Sequence, residues 1–97
     1  MNADTFEKSL NADKCPDSIS LHLQALWYDA KGNWHQAHAI VQQLRDKNAA
    51  QIHAYLHRKE GNRQNSLYWY KQVGNASPEK LSIKEEWRWL VNQSFIK

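Results

Sequence analysis

Two histidines, His53 and His57, lie four residues apart in the second half of the 97-residue chain. On a helix this spacing puts both side chains on one face, where two imidazoles can bind the same metal ion. A metal site needs a third ligand, and none is evident. No glutamate lies between the two histidines as in a zinc-protease helix, and His35 and His38 belong to a different predicted hairpin. We therefore predict no metal and no other cofactor.

A structural role is the alternative for this pair. Partly buried imidazoles can hydrogen-bond to backbone carbonyls or to the hydroxyl of Tyr70 across a helical hairpin, and histidines are often intermediate in burial. A pocket lined by His53, His57 and Tyr70 would also suit a small ligand, a metal or a reaction. These alternatives stay open at the level of sequence, and the structural one is preferred.

Three consecutive aromatic residues, Tyr68, Trp69 and Tyr70, follow the histidines. Successive side chains on a helix are about 100° apart, so the three rings cannot all face one way. The repeat described below turns Tyr70 inward. We expect Tyr68 or Trp69 to contact a partner or a neighbouring helix, such as the one that carries Trp87 and Trp89.

Basic residues flank these aromatic rings at Arg58, Lys59, Arg63 and Lys71. Cations interleaved with rings suit single-stranded nucleic acid, but the same pattern occurs on ordinary solvated helix faces. The formal net charge is only +3 and there is no dense Lys/Arg run, so nucleic acid is the least favoured partner.

Other classes of function find little support. Cys15 is the only cysteine, which excludes an internal disulfide and a multi-cysteine zinc site and favours a reducing cytoplasm. The sequence contains no serine elbow and no phosphate-binding glycine loop. No apolar run approaches the roughly 18 residues of a membrane span, and no leader is recognisable after Met1. We expect a cytoplasmic protein that is not an enzyme and does not contact membranes.

Apolar residues repeat with helical spacing over most of the chain, and Gly32 and Gly61 punctuate the pattern. We predict one all-α domain, residues 1–97, in which a short N-terminal helix containing Phe6 docks on two antiparallel hairpins. Gly74 and Pro78 end the second hairpin. A C-terminal capping helix then begins at a Ser82 capping box. The predicted hairpin helices and capping helix span residues 18–31, 34–44, 49–60, 63–73 and 82–95.

A shift of 29 residues aligns the two hairpins with each other as units 18–44 and 47–73. At these positions the chain resembles a tetratricopeptide repeat, with a small residue, an aromatic residue, a Gly-Asn turn, an aromatic residue and two packing residues in order. His57 occupies a position where that pattern has an aromatic residue. In the first unit the matching residues are Ala25, Tyr28, Gly32, Asn33, Trp34, Ala37 and Val41.

The segment from His53 to Tyr70, of the form HxYLHRxEGNxxNxxYWY, also resembles a motif of small bacterial proteins that brings no known activity. The tetratricopeptide likeness implies a right-handed helical stack that binds proteins. Our leading prediction is therefore a non-catalytic interaction module that binds a protein partner or a second copy of itself. The predicted contact residues are Tyr55, Arg58, Lys59, Tyr68 and Trp69.

Overall fold

The structure is a computed structural model, and it describes residues 1–74 and 80–96. Its regular structure over these residues is entirely helical. The elements are α1 (Ala3–Lys8) with a following 3₁₀ turn (Ser9–Asn11), α2 (Leu21–Ala30), α3 (Trp34–Val41), α4 (Lys47–Glu60), α5 (Arg63–Gln72) and α6 (Ile83–Phe95). The predicted all-α class is confirmed. The predicted end of the second hairpin at Pro78 lies outside the described residues.

The two predicted hairpins are present as α2–α3 and α4–α5, each joined by a tight glycine turn. Gly32 and Gly61 have φ values of 84° and 86°, in the left-handed region that glycine adopts without a steric penalty. In each turn the amide of the next residue reaches back five residues: Asn33 donates to the carbonyl of Tyr28 at 2.8 Å, and Asn62 to that of His57 at 2.9 Å. This closing pattern satisfies the last carbonyls of the first helix and turns the chain directly into the second.

Side-chain caps set where the helices begin. Asn33 and Asn62 accept the backbone N–H of the third residue that follows, and Ser82 forms the predicted capping box with Glu85. Asp46 caps α4 in the same way, so this helix starts at Lys47, two residues before the predicted start. An aspartate directly before a helical run is a typical start signal, and Asp46 provides it here.

The helices pack in chain order, α2 on α3, α3 on α4 and α4 on α5, while α6 lies across α2 and α4. Phe6 of α1 is fully buried and stacks near Trp87 of α6, with ring centroids 6.1 Å apart. Trp87 in turn donates its indole N–H to the carbonyl of Leu26 at 3.0 Å. The short first helix is therefore held by docking, as expected for a segment too short to be stable alone.

Along α4 every residue from Ile52 to His57 is buried, because α2, α3, α5 and α6 surround the helix. A helix in this position carries polar side chains into the interior, and each of them needs a partner. No helix of the described residues is long and apolar enough to cross a membrane.

A three-histidine cluster as the candidate functional site

A third histidine, His38 of α3, joins His53 and His57 in the structure. One ring nitrogen from each of the three imidazoles lies within 4.8 Å of the other two, and Nε2 of His38 is 3.1 Å from Nε2 of His53. His38 belongs to a different hairpin, as predicted, and it supplies the third imidazole that was not evident from the sequence. Helix α3 packs directly against α4, so the second helix of one hairpin contacts the first helix of the next.

Two tryptophans form the walls of the cluster. The Trp34 ring stacks on His38 with an interplanar angle of 8°, and the Trp69 ring stacks on His53 with centroids 4.2 Å apart. Trp34 is held in place by its indole N–H, which donates to the carbonyl of Leu56 at 2.8 Å. Large rings on both sides restrict the rotamers of the histidines, so the imidazoles are positioned before any ligand arrives.

A carboxylate orients the third imidazole. Nδ1 of His57 lies 2.6 Å from Oε2 of Glu60, one turn further along α4. When Nδ1–H donates to this carboxylate, Nε2 of His57 keeps its lone pair and becomes the available ligand atom. Metal-binding histidines commonly donate their second nitrogen in this way, which fixes the tautomer and raises the basicity of the ligand.

The surroundings favour uncharged imidazoles. Burial, together with the neighbouring His38 and His57 rings, lowers the pKa of His53 to about 4. The pKa of His38 is also lowered, first by burial and then by His57. Neutral imidazole is the form that binds metal, so protons compete weakly for these two ligands at neutral pH.

The predicted pocket of His53, His57 and Tyr70 does not assemble around the Tyr70 hydroxyl. That hydroxyl donates to Oε2 of Glu86 at 2.6 Å, and the histidines turn instead toward His38. Tyr70 and His53 are both buried, but they serve different networks. Burial and the bond to Glu86 raise the pKa of Tyr70, so it remains a hydrogen-bond donor across the ordinary pH range.

The five predicted contact residues divide into buried or paired side chains and exposed ones. Tyr55 is only 1% exposed and donates to Asp29 at 2.7 Å, so its ring is not available at the surface. Arg58 contacts Glu86 at 2.7 Å and Lys59 contacts Asp29 at 3.0 Å, so both cations are paired within the chain. Tyr68 is 54% exposed and packs edge-on against Trp69.

The sequence contains a second pair of residues with helical spacing that indicates the cluster. Trp34 and His38 stand four residues apart on α3, as His53 and His57 do on α4, so each pair shares a helical face. In a stack of hairpins such neighbouring faces meet. Of the two rings predicted to contact a partner or a neighbouring helix, Trp69 contacts α4 through His53, and not the helix of Trp87 and Trp89 that was given as the example.

A search of protein-family models, curated proteins and solved structures finds no match to this chain. Its function is therefore argued from the arrangement of its own residues.

Proposed function

We propose that this protein binds one divalent transition-metal ion, of the zinc or copper class, through His38, His53 and His57. The observation that carries the proposal is the meeting of three imidazole nitrogens within 4.8 Å of one another. Neutral imidazole suits zinc, copper and nickel, whereas calcium and magnesium prefer oxygen ligands.

The geometry needs only a small adjustment to accept such an ion. Zinc binds histidine nitrogen at about 2.0 to 2.1 Å, which puts the nitrogens of a tetrahedral site roughly 3.3 Å apart. The His38–His53 nitrogens are already 3.1 Å apart, and the widest separation would close by about 1.5 Å. Modest rotation of His57 against Glu60 is the simplest way to make that movement.

The proposal is tested by metal titration of protein freed of metal with a chelator. We expect one equivalent of Zn²⁺ to bind in competition with a chromophoric chelator, and His53→Ala to abolish that binding. The control is His35→Asn, which removes an exposed histidine on the same helix as His38. Helicity of each variant is checked by circular dichroism. Equal zinc binding by His53→Ala and the unmodified chain, or none by either, would refute the site.

A second function, contact with a protein partner or another copy of the chain, is supported by a separate observation. Leu67 and Tyr68 are neighbours on α5, and they are 41% and 54% exposed. Adjacent exposed apolar side chains favour an interaction surface. Sedimentation of Tyr68→Ser compared with the unmodified chain tests self-association, and a pull-down tests other partners. Unchanged behaviour in both would count against it.

A further inference from the structure

A cavity of about 250 Å³ adjoins the three-histidine site on the side of His53 and Trp69. Both of these residues line it, together with Gln42, Arg45 and Asp46 from the segment between α3 and α4. At roughly 30 Å³ per water molecule, this volume equals about eight waters, enough for a small organic or inorganic anion. The candidate metal site therefore has an open, partly polar cavity on the side of His53, the one histidine of the three that lines it.

Arg45, the cation that lines this cavity, is exposed and forms no ion pair with a described residue. Within residues 1–74 and 80–96 the guanidinium of Arg45 makes no hydrogen bond or ion pair. The adjacent carboxylate of Asp46 is already engaged: it accepts the backbone N–H of Ala49 at 2.7 Å and contacts Nε2 of His22 at 2.7 Å. The guanidinium of Arg45 can therefore donate hydrogen bonds to a planar or tetrahedral oxyanion in the cavity.

A larger cavity, of about 430 Å³, lies by Asp29, Lys59 and Trp87, and it differs in this respect. There the buried carboxylate of Asp29 already binds both Lys59 and the Tyr55 hydroxyl. Its central charges are paired within the protein, so it offers a ligand less than the Arg45 cavity does.

We propose that a small oxyanion, carrying a carboxylate or phosphate-type group, occupies this cavity and completes the coordination of the metal, with Arg45 as its anion-binding residue. This inference rests on the proposed metal function. Three protein ligands leave one tetrahedral position for an outside ligand, as in catalytic zinc sites. Because His53 and Arg45 both line the cavity, an anion held by the guanidinium would approach the fourth coordination position from the His53 side.

Cobalt is the probe for the test, because the visible d–d bands of Co²⁺ report its ligands while Zn²⁺ has no such spectrum. The Co²⁺-loaded protein is titrated with acetate and, separately, with methylphosphonate, and sodium perchlorate holds the ionic strength constant. We expect at least one of the two anions to produce a saturable spectral change. Comparison of the two distinguishes a carboxylate from a phosphate-type ligand.

The matched variants are Arg45→Gln and Lys47→Gln, which remove the same charge two residues apart, inside and outside the cavity lining. Arg45→Gln should bind Co²⁺ normally and weaken anion binding about tenfold to a hundredfold, the usual effect of losing a charged hydrogen bond. Lys47→Gln should change neither. If Co²⁺ does not bind, the proposed metal function fails. If Co²⁺ binds but neither anion alters its spectrum, or Arg45→Gln responds like Lys47→Gln, the oxyanion proposal alone is overturned.

Discussion

Helix α4 carries two buried polar networks, on opposite sides, and they are built differently. On one side Tyr55 and Lys59 meet the carboxylate of Asp29, and Arg58 meets Glu86. On the other side His53 and His57 meet a third imidazole, His38. Tyr55 is two residues from either histidine of α4, about 200° around the helix. The same helix therefore serves two separate regions of the interior.

The two sides differ in charge balance. Asp29 and Glu86 are each 2% exposed, and each binds one cation and one tyrosine hydroxyl, so the carboxylates are compensated within the protein. The histidine side gathers three imidazoles that each place one nitrogen within 4.8 Å of the other two, with Glu60 as the nearby carboxylate. A compensated network stabilises the fold, whereas a cluster of three imidazoles can exchange its internal His38–His53 hydrogen bond for coordination of an added cation.

The largest expected loss of stability comes from removing a carboxylate of the compensated network. Glu86→Ala leaves the Arg58 guanidinium and the Tyr70 hydroxyl without their carboxylate, and removal of one partner of a buried ion pair costs about 3 to 5 kcal/mol. Urea unfolding should show this loss. Glu7→Ala, which breaks the exposed Glu7–Arg88 contact, is the control and should cost at most about 1 kcal/mol. Equal losses would remove the distinction between the networks.

Zinc should stabilise the folded protein only by binding to the three histidines. At a free Zn²⁺ concentration 100 times the dissociation constant, binding to the folded state alone adds about 2.7 kcal/mol to the free energy of unfolding. We expect Glu86→Ala to retain this gain although it is destabilised, and His53→Ala to lose it. Urea unfolding in zinc-buffered solution measures both. A similar gain in His53→Ala would place the metal elsewhere.

The hairpins were predictable because their signals are local. Gly32, Gly61 and the Ser82 cap act within a few residues, and the apolar spacing defines each helix without knowledge of its neighbours. Burial was less predictable. Leu67 is apolar and neighbours the buried Ser66 of α5, yet it is 41% exposed, because the sequence of one helix does not show which of its faces the other elements cover. The resemblance to tetratricopeptide repeats stays a prediction.

The histidine cluster needed information that local spacing does not contain. His38 reaches His53 only because α3 and α4 pack together across a hairpin boundary. The pairing of Arg58 and Lys59 has the same origin, since their partners Glu86 and Asp29 are about 30 residues away in the chain. Arg58 and Lys59, which the sequence suggested as surface contact residues, therefore form ion pairs within the chain.

The carboxylate beside His57 should affect metal affinity more than stability. Glu60→Gln keeps a hydrogen-bond acceptor for Nδ1 but removes the charge, and Glu60→Ala removes both. Loss of such a partner lowers metal affinity by 10- to 100-fold, so we expect about tenfold for glutamine and about a hundredfold for alanine. Chelator competition measures the affinities. Glu7→Gln, a distant variant with the same charge change, should leave the affinity unchanged, and a Glu60→Ala protein with full affinity would contradict this role.

The pH dependence of the metal-free protein tests the electrostatics of the histidine side on its own. The pKa of His53 is about 4 in the folded state against an ordinary value of 6.5, so between these values the unfolded chain binds a proton that the folded chain does not. Stability is then fully present above pH 6.5, falls by at most about 1.4 kcal/mol per pH unit as the pH drops toward 4, and levels off below.

His53→Phe isolates this contribution, because phenylalanine keeps a ring against Trp69 and does not titrate. The free energy of unfolding of both proteins is measured in urea with a chelator present. Between pH 6.5 and 4 the unmodified chain should lose stability relative to the variant with a slope of at most about one proton, or about 1.4 kcal/mol per pH unit. The facing groups His38, His57 and Glu60 remain in both proteins, as do the carboxylates on the other side of α4. Parallel pH profiles would show that His53 takes up its proton equally well in the folded and unfolded chains, and the contrast between the two sides of α4 would then lose its electrostatic basis.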